Sequence, residues 1–513
     1  MELETKKALK KLYKKLATLK QYDHAMGLLY FDLETIAPKQ ALEAQGDVLT
    51  FLDDAAFKIS NSKEMKNLIV YLNDHKDELE YLDQVLIKHM YREYEAQKNI
   101  TPEFNTQITK IYNKAHIDWL NAKEKKDYNL FKESFKNIVE MQEKVTNLRD
   151  YKLDYLYDNY LDQCEKGVLS KELDAFFDDL KKGLISLIER IKNSKHKIRA
   201  DFLSREVPLY KQEEYGKYLL ELNGFDFTRG AMSTTEHPFT SDIAKDDTRL
   251  TTHYYLNMFA SNMYSIIHEG GHGIFMQRQK EEDYEHFIND EITNGMHESV
   301  SRFYENVLGR SKEYIHLIYP KFKEIFKDEF SDVSERELYE AVNLTAPSLI
   351  RTEADEVTYG LHIVIRYELE KAITDKKVSI DDASKKWNEL YKKYLGVVPS
   401  NDSEGILQDV HWSSGFGYFP SYAIGNAYNA MYVRKMKEDI NFEECVLNGK
   451  LDIINDWMQE HVFKKANELD PADWIKDITG EGLQAKYFLQ YLEDKYSDIY
   501  QFEKKNYLGD KND

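Results

Sequence analysis

The chain has 513 residues, 42% apolar and 31% charged, enough for a large core beneath a charged surface. Lys and Arg total 70 against 91 Asp and Glu, and the resulting formal charge of −21 repels phosphate backbones and anionic bilayers, which excludes nucleic acid as a partner. No window approaches ~20 uncharged apolar residues, so no membrane span is expected, and the Lys-rich stretch after Met1-Glu2-Leu3-Glu4 lacks the apolar core of a secretory signal.

Helix breakers are scarce: 9 prolines and 22 glycines, with seven of the prolines beyond residue 200, predict a mostly α fold. Over residues 1–200 the only prolines are Pro38 and Pro102. Helical spacing runs through Leu28, Leu29, Asp32, Leu33 and Ile36 to an end near Pro38, and again from Tyr151, Leu153, Tyr155 and Leu156 into Tyr160 and Leu161. These segments read as long helices stacked as a bundle or lid. Gly224, Gly230, Pro238 and the alternating Arg249–Tyr254 run then predict a small sheet or hairpin over 224–254. Helical spacing resumes from about 256, broken by expected loops at 343–350, 396–405 and 412–426. The last of these is rich in Gly, Ser, Tyr and Phe, a composition suited to a functional loop. The chain has only two cysteines, Cys164 and Cys445, which suits a reducing compartment, and a cytoplasmic location is expected.

The sharpest chemical signal is His268-Glu269-Gly270-Gly271-His272. Residues four apart share a helix face, so both imidazoles can reach one metal ion, and Glu269 lies about 100° round the same turn. Zinc with an open coordination position acidifies its water, and a neighbouring carboxylate can take the proton as the water attacks a carbonyl. Leu256, Phe259, Met263, Ile266, Ile267 and Ile274 form one apolar stripe on a helix predicted over about 256–279. A shuffled chain with the same 15 histidines and 91 acids would hold roughly 0.08 copies of the pattern. The glycines at 270, 271 and 273 each cost ~1 kcal/mol against alanine within a helix, which points to close approach of another backbone or of substrate, or to tight helix packing.

A third ligand must come from another element. Asn294-Gly295-Met296-His297-Glu298-Ser299 opens a second helical pattern, with Asn294 as its expected N-cap and Gly309 as its expected stop. Glu298 falls on the polar face with Ser301, Arg302 and Glu305, and two histidines with a glutamate form a catalytic zinc set. His286, Glu291 and His297 are rival ligands. His297 could instead contact substrate or support a ligand.

With these residues in place, the chain resembles the carboxypeptidase Taq family of zinc metallocarboxypeptidases. The resemblance is carried, in order, by His237-Pro238-Phe239; Asp247, Arg249 and Thr251; His268-Glu269-x-x-His272; and His297-Glu298-Ser299. It continues through Ile350-Arg351-x-x-Ala354-Asp355 and Gly405-x-x-Gln408-Asp409-x-His411-Trp412. Phe31-Asp32-x-x-Thr35-x-x-Pro38 departs from the family's usual Trp at its first position. The resemblance implies a large helical body with a deep groove, a small sheet near the active site and homodimeric assembly. Together with the helical spacing above, a single domain over 1–513 is expected, with a helical lobe or lid at 1–200 and a catalytic lobe at 201–513. The expected activity is release of C-terminal amino acids from peptides with broad tolerance. His268, His272 and Glu298 would hold Zn2+, for which Co2+ can substitute, and Glu269 would act as general base.

A terminal carboxylate calls for a cation, and Arg pairs with it bidentately. Arg351 is the first candidate and Arg249 the second; the bland alternatives are ion pairs with Asp355 and Asp247. The 247–254 run could also hold substrate backbone as an edge strand. His237 and Gln408 are further expected substrate contacts. His411, Tyr418 or Tyr422 could donate to the transition-state oxyanion, and Asp355 could orient a metal histidine or cap a helix. The competing reading is a zinc endo-oligopeptidase, and a more distant one a non-catalytic peptide binder.

Overall fold

A computed structural model of the chain describes residues 1–509. The first part is helical, as its lack of proline predicts: α1 (Leu3–Thr35), α2 (Leu42–Ser60), α3 (Lys63–Asp74), α4 (Tyr81–Gln97) and α5 (Pro102–Lys125). Pro102 sits at the start of α5, where its missing N–H costs nothing, and Thr101 caps the Phe104 amide. Helices α6 (Lys132–Asn147), α7 (Leu156–Cys164), α8 (Ser170–Asn193) and α9 (Leu209–Asn223) follow. Helix α7 starts five residues later than the sequence pattern suggests, because residues 151–155 are turn and coil.

Two separate cores underlie this region. Leu12, Met65, Leu68, Leu72, Leu86 and Ile87 of α1, α3 and α4 pack on one another and receive Ile288 from the later part of the chain. Residues from Ala115 onward join the main core instead. The helices expected as one lobe over 1–200 are therefore divided by their packing.

Strands β1 (Gly230–Thr234), β2 (Thr240–Ala244) and β3 (Asp247–Thr252) form a sheet of order β1-β3-β2, with β1 parallel and β2 antiparallel to β3. The 247–252 strand is thus central, with both edges paired, and cannot receive substrate as an edge strand. Asp242 lies on β2 with one oxygen 2.8 Å from the Tyr284 hydroxyl and the other buried without a partner. Burial, reinforced by nearby Asp290, pushes its carboxyl up to about 7. The folded state therefore favours the protonated form, and that contribution is lost as pH rises from the ordinary carboxylate range through about 7. Asp242→Asn is expected to raise Tm by about 2 °C at pH 8 and by less at pH 5, with the gain vanishing below the ordinary carboxylate range. A pH-independent change in thermal melts would contradict this.

Helix α10 (Phe259–Gln277) crosses the middle of the main core, flanked by α11 (Glu281–Glu285) and α12 (Asn294–Arg302). The N-cap of α12 is Thr293, so Asn294 is helical and not the expected cap. The helix does not stop near Gly309 by a left-handed turn; it widens into a π-helical turn, Phe303–Leu308, and Gly309 has φ −65°. Helices α13 (Lys312–Ile325), α14 (Glu335–Val342), α15 (Glu356–Thr374) and α16 (Ala383–Tyr394) precede α17 (Pro420–Asp439). The second half of the loop expected at 412–426 is therefore the first two turns of α17, started by a proline at its N-terminus. Helices α18 (Phe442–Leu447), α19 (Leu451–Met458), α20 (Pro471–Thr479) and α21 (Ala485–Tyr500) close the main core. Among the described residues no helix is long and apolar enough to cross a membrane.

Candidate active site

Helix α10 carries His268, Glu269 and His272, and its glycines are explained by packing. A Cβ at Gly271 would lie 2.9 Å from the Ser301 Cα, so its absence lets α10 approach the backbone of α12. Gly425 plays the same part on the other side of α12, where a Cβ would lie 3.0 Å from the Gly295 carbonyl oxygen. The helix bearing Glu298 is thus held closely between α10 and α17.

That approach sets the metal geometry. Glu298 Oε2 lies 3.7 Å from His268 Nε2 and 3.9 Å from His272 Nε2. One donor atom from each residue falls within 4.8 Å of the others, the one such His/Cys/Asp/Glu group among the described residues. The rivals lie elsewhere: His286 pairs with Asp83, and Glu291 with His89.

The remaining polar atoms of the three residues are tied back. His268 Nδ1 is 2.9 Å from Glu305 Oε2, His272 Nδ1 is 2.7 Å from His297 Nδ1, and Glu298 Oε1 accepts from Arg302 Nε at 2.8 Å. Two imidazole nitrogens and one carboxylate oxygen left facing a common point, each oriented by an outer partner, fit a divalent transition metal, zinc among them. Burial alone would push the Glu298 carboxyl up, but Arg302 and His268 beside it hold it below its ordinary value. Glu305 is likewise depressed against burial, chiefly by Arg302. Both acids are therefore anionic.

Glu269 is 8% exposed and burial pushes its carboxyl up. Its side chain accepts from the Thr240 hydroxyl at 2.7 Å. A cleft of about 540 Å3 opens beside it, lined by His268, Glu269, Arg302, Glu305, Arg310 and Tyr359 among others, a volume suited to a small peptide segment. Its cations are locally balanced: Arg302 and Arg310 both pair with Glu305. A second cavity of about 540 Å3, lined by residues such as Tyr339, Phe442 and Tyr491, holds no such ligand group.

The other predicted residues divide sharply. Arg351 is buried; its Nε and Nη2 donate to Asp409 Oδ1 at 3.0 and 2.9 Å, and its Nη1 to the Tyr359 hydroxyl at 3.1 Å. Its ion partner is thus Asp409, 58 positions on, and not Asp355. Asp409 is shared with buried Arg366, and these two cations hold its carboxyl well below the usual range despite burial. Gln408 is held by the protein itself: its Oε1 accepts from the Arg351 amide and Arg366 Nη2, while its Nε2 donates to the Leu349 and Glu404 carbonyls. Both ends of its amide are thus taken up by the protein. Arg249 forms a two-point pair with Asp247, both distances 2.8 Å, and lies over the Phe31 ring. His237 is exposed on the turn between β1 and β2. His297 is at the metal group and supports His272. Asp355 caps α15 through the Val357 and Thr358 amides and orients no histidine. That part belongs to Glu305, visible in the sequence only as one more polar residue seven beyond Glu298.

His411, Tyr418 and Tyr422 do gather together. His411 Nε2 is 3.3 Å from the Tyr422 hydroxyl, its ring centroid is 5.1 Å from that of Tyr418, and its Nδ1 is buried without a hydrogen-bond partner. Burial pulls His411 down to about 4 against the attraction of Asp409, so the ring is neutral near pH 7. Arg351 lies over the Tyr422 ring at 4.8 Å, and Arg302 over Tyr359 at 4.7 Å, which joins this cluster to the metal group.

Residues 11–496 match the family model described as Carboxypeptidase Taq (M32) metallopeptidase. Carboxypeptidase 1 of Bacillus subtilis is 37% identical over 502 residues, covering 98% of this chain and 100% of that protein. Thermostable carboxypeptidase 1 of Thermus thermophilus is 33% identical over 426 residues, covering 81% and 83%. The crystal structure of the M32 carboxypeptidase from Deinococcus radiodurans R1 superposes with a TM-score of 0.93 at 25% identity, covering 97% of this chain and 100% of that one.

Proposed function

Because this chain belongs to the carboxypeptidase Taq (M32) metallopeptidase family, we propose that it is a zinc-dependent carboxypeptidase that removes C-terminal residues from peptides. The observation that carries the reading is the convergence of His268 Nε2, His272 Nε2 and Glu298 Oε2 beside Glu269 at a peptide-sized cleft. Zinc is the proposed ion, with cobalt as a substitute, because two imidazoles and one carboxylate match its preferred donors.

His268, His272 and Glu298 would hold the ion, which when bound supplies Lewis acidity to water and to the scissile carbonyl. Glu269 takes the proton from the attacking water and returns it to the departing amine. Tyr422 or Tyr418, with neutral His411, donates to the oxyanion as the carbonyl carbon becomes tetrahedral. The terminal carboxylate is met by Arg351, whose Nη groups each retain an N–H beyond their internal bonds. Arg249, on β3, and His237, between β1 and β2, are assigned to the more distant part of the peptide.

The two cysteines are free thiols, consistent with a reducing, cytoplasmic setting. A homodimer is proposed from the family resemblance alone, and light scattering that reports a monomer would remove it. The lobe at the groove is proposed to be built on α1, α3 and α4, which share their own core, with the catalytic body beyond it.

C-terminal amidation separates the two peptidase readings. It removes the charge that Arg351 is assigned to pair, and cleavage of an otherwise identical peptide is expected to fall by about 100-fold or more, the scale of a lost charge-assisted pair. Mass spectrometry of the products checks this. Undiminished internal cleavage of the amidated peptide would favour an endo-oligopeptidase.

A further inference from the structure

We infer that Thr240 is a positioning residue for Glu269 and that, through strand β2, it ties the orientation of this base to helix α1. The inference rests on the assignment of Glu269 as the base. Among the described residues, Thr240 is the side chain that hydrogen-bonds the Glu269 carboxylate: its Oγ lies 2.7 Å from Oε2, with the Glu269 carbonyl oxygen at 3.0 Å. A hydroxyl has one proton to give. Donated to Oε2, it engages that oxygen and leaves Oε1 free to accept from water.

Glutamate is costly to immobilise, because several rotatable bonds must be held in one arrangement. Nothing within helix α10 performs that task for residue 269. The restraint comes from another element, β2, whose first residue is Thr240. Three residues along the strand, buried Ile243 packs on α1: a Cβ at Gly27 would lie 3.1 Å from Ile243 Cδ1. Helix α1 takes its own support from the smaller core, apart from the main core that holds α10. Strand β2 is therefore placed between the base and a helix that is packed independently of it.

The test uses the full-length, metal-loaded enzyme with Thr240→Val and Thr240→Ser. Valine keeps the shape and removes the donor; serine keeps the donor. Thr240→Val is expected to lower kcat by about 10- to 100-fold, the kinetic equivalent of one hydrogen bond to a charged group, with KM unchanged. Metal affinity measured by chelator competition should stay at the parent value, and Thr240→Ser should recover kcat to within about threefold. A Val variant with normal kcat, a Ser variant no better than Val, or metal affinity falling in step with kcat would each overturn the assignment. If Glu269→Gln abolishes turnover while Thr240→Val does not, this inference fails and the base stands; if Glu269→Gln turns over normally, the base itself fails. For the link to α1, Gly27→Val should lower kcat in the parent and lower it no further in Thr240→Val. Equal effects in both backgrounds would remove that link.

Discussion

Glu269→Gln is expected to lower kcat by about 10³- to 10⁴-fold while leaving the metal bound. The substitution keeps the length and shape of the side chain and an oxygen that can still accept from Thr240 Oγ, 2.7 Å from the present carboxylate. It removes the capacity to take a proton. Glu269 is also outside the group of donor atoms formed by His268, His272 and Glu298, so metal content should not change. Steady-state kinetics beside elemental analysis checks both halves. Turnover close to the parent value would end the role as base, and loss of the metal would make Glu269 a ligand.

Glu298→Gln is expected to weaken metal binding by more than the ~100-fold that loss of an outer partner costs, and to abolish turnover at stoichiometric metal. The argument is electrostatic. Glu298 brings the one negative charge among the three donors, and that charge is held in place by Arg302 Nε at 2.8 Å from Oε1. A neutral amide at the same position offers a weaker donor and leaves Arg302 with only Glu305 as an anionic partner. Glu305→Gln should show the smaller effect, because it acts through His268 Nδ1 at 2.9 Å and touches no ion. Chelator titration followed by zinc or cobalt add-back measures both. Full activity of Glu298→Gln at low metal would require another residue to complete the donor set.

The two substitutions also mark where sequence reasoning reached and where it stopped. His268 and His272 were legible because a helical turn places residues four apart on one face whatever surrounds it. Glu298 was legible as an acid on a second helix, yet His286, Glu291 and His297 were open rivals until the distances excluded the first two and gave His297 to His272. Glu305 carried no signal of its own. It becomes informative only because the α12 segment, narrowed against α10 at Gly271, brings it to His268. Arg351 shows a different limit, because sequence does not reveal which of its donors are already engaged. A cation after a proline-containing loop reads as available for substrate, but Asp409 and Tyr359 already occupy much of its guanidinium. Gln408 is tied up more completely, since neighbours hold both ends of its amide.

Secondary structure followed the same division. The proline-poor first two hundred residues, the helix around His268 and a small sheet before it all follow from composition and local period. The order β1-β3-β2, the π-helical turn at Phe303–Leu308 and the separate core under α1, α3 and α4 do not. Sequence by itself determined which residues could act, because helix period, residue chemistry and spacing are properties of neighbours along the chain. Tertiary structure decided which of them do meet, because an interhelical distance is set by the side chains absent or present at the contact, and a charge is free or spent according to partners that sit dozens of positions away.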